Sequence, residues 1–368
     1  MRQPDLAIFL ATSGHSGVDR IMKKLVPGFA ERGLAVDILS IDRHGPYWDD
    51  LPPGVRQVPL NVAHVSTCLA ALVGYLSRCR PKVMLSDKDK VNRSALIARR
   101  LARVPTRIAV RIGTTVSKNL ERRGWLARAI QYNSIRWLYP SADAIIVPSH
   151  GVAEDLSRIG HLPLRTISVI SNPVVDEDLH NQTQAELDHA WFAPGEPPVI
   201  LGVGELCARK DFATLLRAFA HLRGQRPCRL IILGEGRQRD KLLKLAEELG
   251  VAQDVELPGF VANPFRYMAQ ASVFALSSTC EGSAVVMVEA LATGLPVVST
   301  DCPSGPRETL QQGRFGELVP VGDVPAMSAA LQRTLENPQS PELLREAARP
   351  FTVAASVQRY LEVLGLAG

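Results

Sequence analysis

Short apolar runs alternate with helical patterns along this chain, stop near residue 172, and then begin again. Strand-length runs lie at 6–11, 36–39, 55–60, 83–85, 107–112, 144–148 and 166–170. Helical patterns fill 18–32, 64–79, 91–103, 124–139 and 150–159. Strands that read as unbroken Val/Ile/Leu runs are buried on both faces, which predicts parallel sheets covered by helices on either side. Asn172-Pro173 ends the series, and 176–198 is polar, Pro-bearing and weakly patterned. Alternation then resumes with strands at 199–203, 229–233, 255–257, 273–276 and 296–299, and helices at 211–223, 239–249, 264–269 and 284–293. The end is helical, at 325–336, 341–349 and 353–364. The expectation is two Rossmann-like, doubly wound domains facing a central cleft that binds the ligand.

A length of 368 residues suits two domains. With 46% hydrophobic residues the chain can build ample core, and no apolar run approaches the roughly 18 residues of a membrane span. A cytoplasmic protein is expected. Six cysteines (68, 79, 207, 228, 280, 302) lack CxxC spacing and read as reduced packing residues. Eight histidines show no HExxH or similar ligand spacing, so no bound metal is expected. The net charge of +5 is uneven: from Arg78 to Arg136 there are sixteen Lys or Arg against Asp87, Asp89 and Glu121. Such a patch suits an anionic lipid, a phosphorylated substrate or nucleic acid, or it simply solvates helix faces. Without aromatic interleaving or an RNA-binding signature, no nucleic-acid partner is expected.

In open parallel sheets, ligands collect beyond the carboxyl ends of the strands. Four loops of the second half have that position. The first, 202–210, carries Gly204, Arg209 and Lys210, the two cations suited to a diphosphate, with Asp211 predicted to cap the next helix. Lys210 as a plain surface residue is the alternative. The second, Gly234-Glu235-Gly236, permits close approach of a ligand or of backbone, but it lacks the GxGxxG pattern of a dinucleotide fingerprint. The third, Pro258 to Val261, offers Phe260 and Val261 to a planar base, or is only a strand-end turn. The fourth runs from Glu281 through Gly282, Ser283 and Ala284 to Val285, where the free N–H groups and dipole of a helix start suit a phosphate. Glu281 before the helix can accept sugar hydroxyls. Glu289 is expected two turns in, flanked by apolar residues nearly all round, and a carboxylate so buried needs a partner.

Glu281 and Glu289, with seven residues between them, form an EX7E arrangement. The runs VGELCARKDFATLLRAFAHL, LIILGEGRQRDKLLKLAEELGV, LPGF and LSSTCEGSAVVMVEALATGLPVVSTDCPSGPRE resemble retaining glycosyltransferase family 4. In the first half, Ser13 to Arg20, GFAERGLAVDIL, VPSHGVAEDL and ISNPV are similar to that family more loosely. The resemblance implies the α/β GT-B architecture: an acceptor domain over 1–178, a nucleotide-sugar domain over 190–350, and a C-terminal helix at 351–368 crossing back to the first domain. It implies that Lys210 binds the donor diphosphate, Glu281 the donor sugar near its 3- and 4-hydroxyls, and Glu289 the ribose. Amides of Gly282 to Val285 would hold the distal phosphate, with Gly17 near the diphosphate from the other domain. Two departures stand out. The family usually has Arg after the loop glycine where this chain has Glu205, so either Arg209 substitutes or the donor binds more weakly than usual. Many relatives have a histidine near 112, where this chain reads Arg111-Ile-Gly-Thr-Thr.

The reaction implied transfers a hexose or N-acetylhexosamine with retained anomeric configuration, needing charge stabilisation at the departing diphosphate more than a dedicated base. No cofactor or metal is implied, consistent with the missing DxD motif. The TDCPSGPRE run resembles members that use UDP donors, and that resemblance favours a UDP-sugar over a GDP-sugar. The implied acceptor is a saccharide or lipid-linked saccharide of cell-envelope polysaccharide, with the basic half facing an anionic membrane at the inner face of the cell membrane. A nucleotide-sugar epimerase and a non-catalytic nucleotide-sugar binder of the same architecture are the competing readings.

Overall fold

The computed structural model describes residues 3–14, 16–48, 50–121, 123–176 and 178–367. Two compact units result: residues 1–173 with 352–368, and residues 174–351. Each is built on its own wholly parallel sheet.

In the first unit the strands are β1 (Leu6–Phe9), β2 (Val36–Ser40), β3 (Val55–Pro59), β4 (Val83–Asp87), β5 (Arg107–Arg111), β6 (Ala144–Val147) and β7 (Ile167–Val169). Their order across the sheet is β3-β2-β1-β4-β5-β6-β7. Side chains alternate faces along a strand. Leu6, Ile8 and Leu10 therefore join one core with helix Gly17–Glu31, while Ala7 and Phe9 join another with helices Leu69–Cys79 and Asp89–Ala102. Helix Val353–Leu364 belongs to the first of these cores. Its Val357, Tyr360, Leu361 and Leu364 pack with Ile21, Met22, Leu25 and Phe29, and the Tyr360 and Phe29 rings meet edge-on at 6.2 Å. Arg107 also donates to the Leu364 carbonyl at 2.8 Å.

In the second unit the strands are β8 (Val199–Val203), β9 (Arg229–Leu233), β10 (Val255–Gly259), β11 (Val273–Leu276), β12 (Val297–Thr300) and β13 (Glu317–Val319), in the order β10-β9-β8-β11-β12-β13. Leu201, Ile231, Leu233, Phe274 and Leu276 face one core, and Ile200, Leu230, Ile232, Val273 and Ala275 the other. The two units thus repeat one strand order, reversing between β1 and β4 in the first and between β8 and β11 in the second. Beyond these reversal points, at the carboxyl ends of the strands, an open sheet offers its binding crevice.

Several local expectations change. Strand β13 pairs in parallel with β12 at the sheet edge, where the sequence suggested no strand. The segment 176–198 holds a helix, Leu179–Gln184, and a 3-10 turn, Ala190–Phe192. No helix among the described residues is long and apolar enough to cross a membrane.

Candidate active site

The loop from β8 to helix Phe212–Arg223 and the loop from β11 to helix Val285–Thr293 flank the reversal point of the second sheet. Lys210 lies on the first and Glu281 on the second, so the topology alone brings side chains 71 positions apart into contact. Lys210 Nζ donates to Glu281 Oε1 at 2.7 Å, and Arg209 Nη1 lies 3.3 Å from Glu281 Oε2. The Ser278 hydroxyl donates to Glu281 Oε1 at 2.7 Å. Lys210 and Glu281 are both buried, whereas the Arg209 side chain is 44% exposed.

Main-chain contacts hold these loops in register. The Ser277 hydroxyl donates to the Lys210 carbonyl at 2.8 Å, and the Thr279 amide to the Arg209 carbonyl at 2.8 Å. The Thr300 hydroxyl, at the end of β12, donates to the Ser278 carbonyl at 2.6 Å. Both cations therefore sit on backbone pinned to the Glu281 loop.

Glu281 is a carboxylate in a buried site, and burial pushes its pKa up. The charges of Lys210 and Arg209, with hydrogen bonds from Lys210 and Ser278, outweigh that and hold it below the ordinary range. It is ionised at neutral pH. Nearby Cys302 shifts the other way: burial first, then the Glu281 charge, push its thiol up to about 12. It is not a thiolate nucleophile at neutral pH.

Glycine makes the close approaches here possible. A side chain on Gly204 would begin 2.9 Å from Lys210 Cε, so its absence leaves the lysine its path. Gly234 has φ +138°, and a Cβ there would lie 2.0 Å from the Gly204 carbonyl oxygen. Its amide donates to the Gly259 carbonyl at 2.7 Å. At Gly234 it is backbone that approaches, one of the two possibilities its sequence left open.

Helix Val285–Thr293 starts from Ala284, which is left-handed at φ 44°, ψ 49°. Gly282 and Ser283 form the turn leading into it. Glu289 is the fifth residue of this helix, little more than one turn from its start rather than two, and it is buried. Phe260 follows β10 and is 74% exposed, with Val261 half-buried. The predicted Asp211 cap is not made: Asp211 is itself left-handed and its carboxylate accepts the Thr214 hydroxyl at 2.7 Å. Glu205 is exposed.

Gly17 opens helix Gly17–Glu31 in the first unit, and a Cβ added there would meet nothing within 4 Å. In the first turn of this helix, Asp19 accepts the Ser16 amide at 2.7 Å and the hydroxyls of Ser16 and Thr12. Arg111, at the end of β5, is fully buried. It pairs with Asp87, donates to Asn172 Oδ1 at 2.6 Å and to the Tyr360 hydroxyl at 2.9 Å. Burial opposes its charge, but the Asp87 carboxylate keeps its pKa raised. The strand end just before the stretch noted for a missing histidine thus carries a structural arginine.

Neither Ser278 nor the Arg111–Asp87 pair stands out in the sequence. A serine three residues before a loop glutamate was the only available signal for the first. Among the described residues, no group of three or more His, Cys, Asp or Glu gathers as a metal site.

Two doubly wound units of this kind make the GT-B architecture. The family described as "Glycosyl transferases group 1" matches residues 183–351, and that described as "Glycosyl transferase 4-like domain" matches residues 16–173. The chain belongs to this group 1 and 4-like glycosyltransferase family. It is 35% identical over 249 residues to the N-acetylgalactosamine-N,N'-diacetylbacillosaminyl-diphospho-undecaprenol 4-alpha-N-acetylgalactosaminyltransferase of Campylobacter jejuni, covering 68% of this chain and 66% of that protein. It is 32% identical over 231 residues to the lipopolysaccharide core biosynthesis glycosyltransferase LpsE of Rhizobium meliloti, covering 61% and 65%. These matches span about two thirds of each relative's length. Among solved structures, Anabaena HepE in complex with UDP shares the fold at TM-score 0.78 and 18% identity, over 99% of this chain and 100% of that one. The lipopolysaccharide outer core galactosyltransferase WaaB does so at TM-score 0.76 and 20% identity, over 98% and 99%.

Proposed function

We propose that this protein transfers a hexose or N-acetylhexosamine from a UDP-sugar to a saccharide or lipid-linked saccharide of the cell envelope, at the inner face of the cell membrane, with retention at the anomeric carbon. The observation that carries this reading is the Arg209–Lys210–Glu281 cluster at the reversal point of the second sheet. It holds two cations against one carboxylate, leaving a surplus positive charge where a diphosphate would bind. An ammonium has three protons, and one reaches Glu281. The others remain for phosphate oxygens.

In this reading, Lys210 and Arg209 stabilise the charge that develops on the departing UDP, so no resident metal is called for. The leaving diphosphate takes the acceptor's proton on the face where the new glycosidic bond forms. Glu281, ionised and held at three points, receives hydrogen bonds from donor sugar hydroxyls. Glu289 receives the ribose hydroxyls, and the turn from Gly282 to Val285 holds the distal phosphate. Phe260 and Val261 are proposed to border the base, and the open space at Gly17 to admit close ligand approach. The names of the Campylobacter and Rhizobium relatives support an envelope acceptor, and the UDP complex of HepE supports the nucleotide.

The test is a panel of UDP- and GDP-sugars scored by thermal shift and by donor hydrolysis. One UDP-sugar should raise the melting temperature and be hydrolysed slowly without acceptor. Glu289→Gln should weaken UDP binding about tenfold, the worth of one lost charge-assisted hydrogen bond. Isomerisation of the sugar with the donor otherwise intact would instead identify an epimerase.

A further inference from the structure

The loops that leave β11 and β12 run side by side in one register. The Thr300 hydroxyl donates to the Ser278 carbonyl at 2.6 Å, across 22 positions. The Glu281 amide donates to the Pro303 carbonyl at 3.3 Å with the same offset. Further along, a Cβ on Gly305 would lie 3.2 Å from the Ser283 main chain, again at that offset. Between the first two contacts, the shared register sets Cys280 opposite Cys302. Neighbouring parallel chains lie about 4.8 Å apart, and a disulfide spans Cα atoms about 4.4–6.8 Å apart. Residues opposite each other on these two loops meet that requirement.

The two thiols differ in access. Cys280 is half-buried, its thiol donates to the Glu281 carbonyl at 3.8 Å, and Arg209 Nη1 donates to its own carbonyl at 3.3 Å. Cys302 is buried. Burial first, then the Glu281 charge, then Cys280 itself raise the Cys302 pKa, as a close neighbour would. Cys280 is therefore the thiol that a small oxidant meets, and Cys302 the one held in reserve behind it. The sequence suggested six reduced packing residues; two of them stand where they can also bond to each other.

We propose that Cys280 and Cys302 are a site of oxidative modification, joined as a disulfide when a peroxide reaches Cys280. The Cys280 sulfur attacks one peroxide oxygen, the O–O bond breaks, and a sulfenic acid and water result. The Cys302 sulfur then bonds to the Cys280 sulfur and the S–O bond breaks. The sulfenic oxygen leaves with the Cys302 proton as a second water, so two thiols lose two electrons and the peroxide gains them. A small dithiol reverses the step by exchange. Closing the bond draws the Cys280 sulfur away from the Glu281 carbonyl and turns the backbone directly before the carboxylate that Lys210 and Arg209 hold. The consequence for the donor rests on the function proposed above; the bond itself does not.

The experiment treats the purified full chain with hydrogen peroxide, blocks the remaining thiols with iodoacetamide, and identifies the digested peptides by mass. Peptides joined through Cys280 and Cys302 are expected, and dithiothreitol should separate them. Hydrolysis of the UDP-sugar that the donor panel selects should fall about a hundredfold in the bridged chain, the scale of an ångström's displacement at a reacting centre. Dithiothreitol should restore it. Cys280→Ser should hydrolyse donor like the parent, before peroxide and after it. Cys302→Ala should form no bridge and leave Cys280 as a sulfenic acid that dimedone traps. Peroxide that oxidises the two thiols separately, or neither of them, overturns the proposal. A loss of hydrolysis that persists in Cys280→Ser, or a bridge that leaves hydrolysis unchanged, overturns its control of the donor site. A bridge in a chain that hydrolyses no donor, reduced or oxidised, upholds the modification site and overturns the glycosyl-transfer reading instead.

Discussion

The two units repeat one strand order but use their reversal points differently. In the first, charge is consumed by architecture. Asp19 is taken up by Thr12 and Ser16, Lys88 Nζ reaches the Ala11 carbonyl at 3.3 Å, and Asp87 closes on the buried Arg111. In the second, Arg209 and Lys210 share the single carboxylate of Glu281, and Arg209 keeps much of its surface in water. A common topology supplies the crevice in both. Uncompensated charge distinguishes the proposed anion site from a structural joint.

The largest expected effect comes from removing that surplus. Lys210→Ala should lower glycosyl transfer about a thousandfold, the scale of losing a preorganised charge at a leaving group. Circular dichroism should show the fold retained, and near-normal turnover would break the contrast between the units. Arg111→Met should do the opposite. It leaves Asp87 buried without a partner, so the first unit should lose about 3–5 kcal/mol in denaturant unfolding, while UDP affinity is unchanged. Adding Asp87→Leu should recover most of that stability, because a buried pair replaced by well-packed apolar groups costs little.

Acidification should act on Glu281. Its folded pKa is depressed, so its contribution to stability is complete above the ordinary value of 4.5 and is lost as pH falls through the lower folded value. Melting temperatures measured downward from neutral pH should fall less steeply in Glu281→Gln than in the parent. An identical slope would mean the carboxylate gains nothing from its cations. The smallest effect is expected at Gly17→Ala. With nothing within 4 Å of the added methyl, stability should stay within about 0.5–1 kcal/mol of the parent. A fall in activity without a fall in stability would place a ligand, rather than the protein, against that glycine.

The sheets were legible in the sequence because buried parallel strands are unbroken apolar runs, a pattern that burial itself imposes. Glu317–Val319 escaped because a three-residue edge strand containing a glutamate carries no such signature. Lys210 and Glu281 could each be singled out from loop position and helix flanks. Their mutual contact could not, since it follows from strand order and not from spacing. Asp211 shows the same limit: a helix-start aspartate predicts an amide cap, but a left-handed backbone turned its carboxylate to Thr214. Arg111 gave no sign of its role, because a buried cation is justified by partners at 87, 172 and 360.

The partner at 360 has a consequence for synthesis. The core that contains Ile21, Leu25 and Phe29 is completed by Tyr360, Leu361 and Leu364, so residues 174–351 are an insertion within a discontinuous unit. As the chain leaves the ribosome, the inserted unit has all its strands while the outer one still lacks a helix. The inserted unit can therefore mature first, and the half synthesised earlier is finished later.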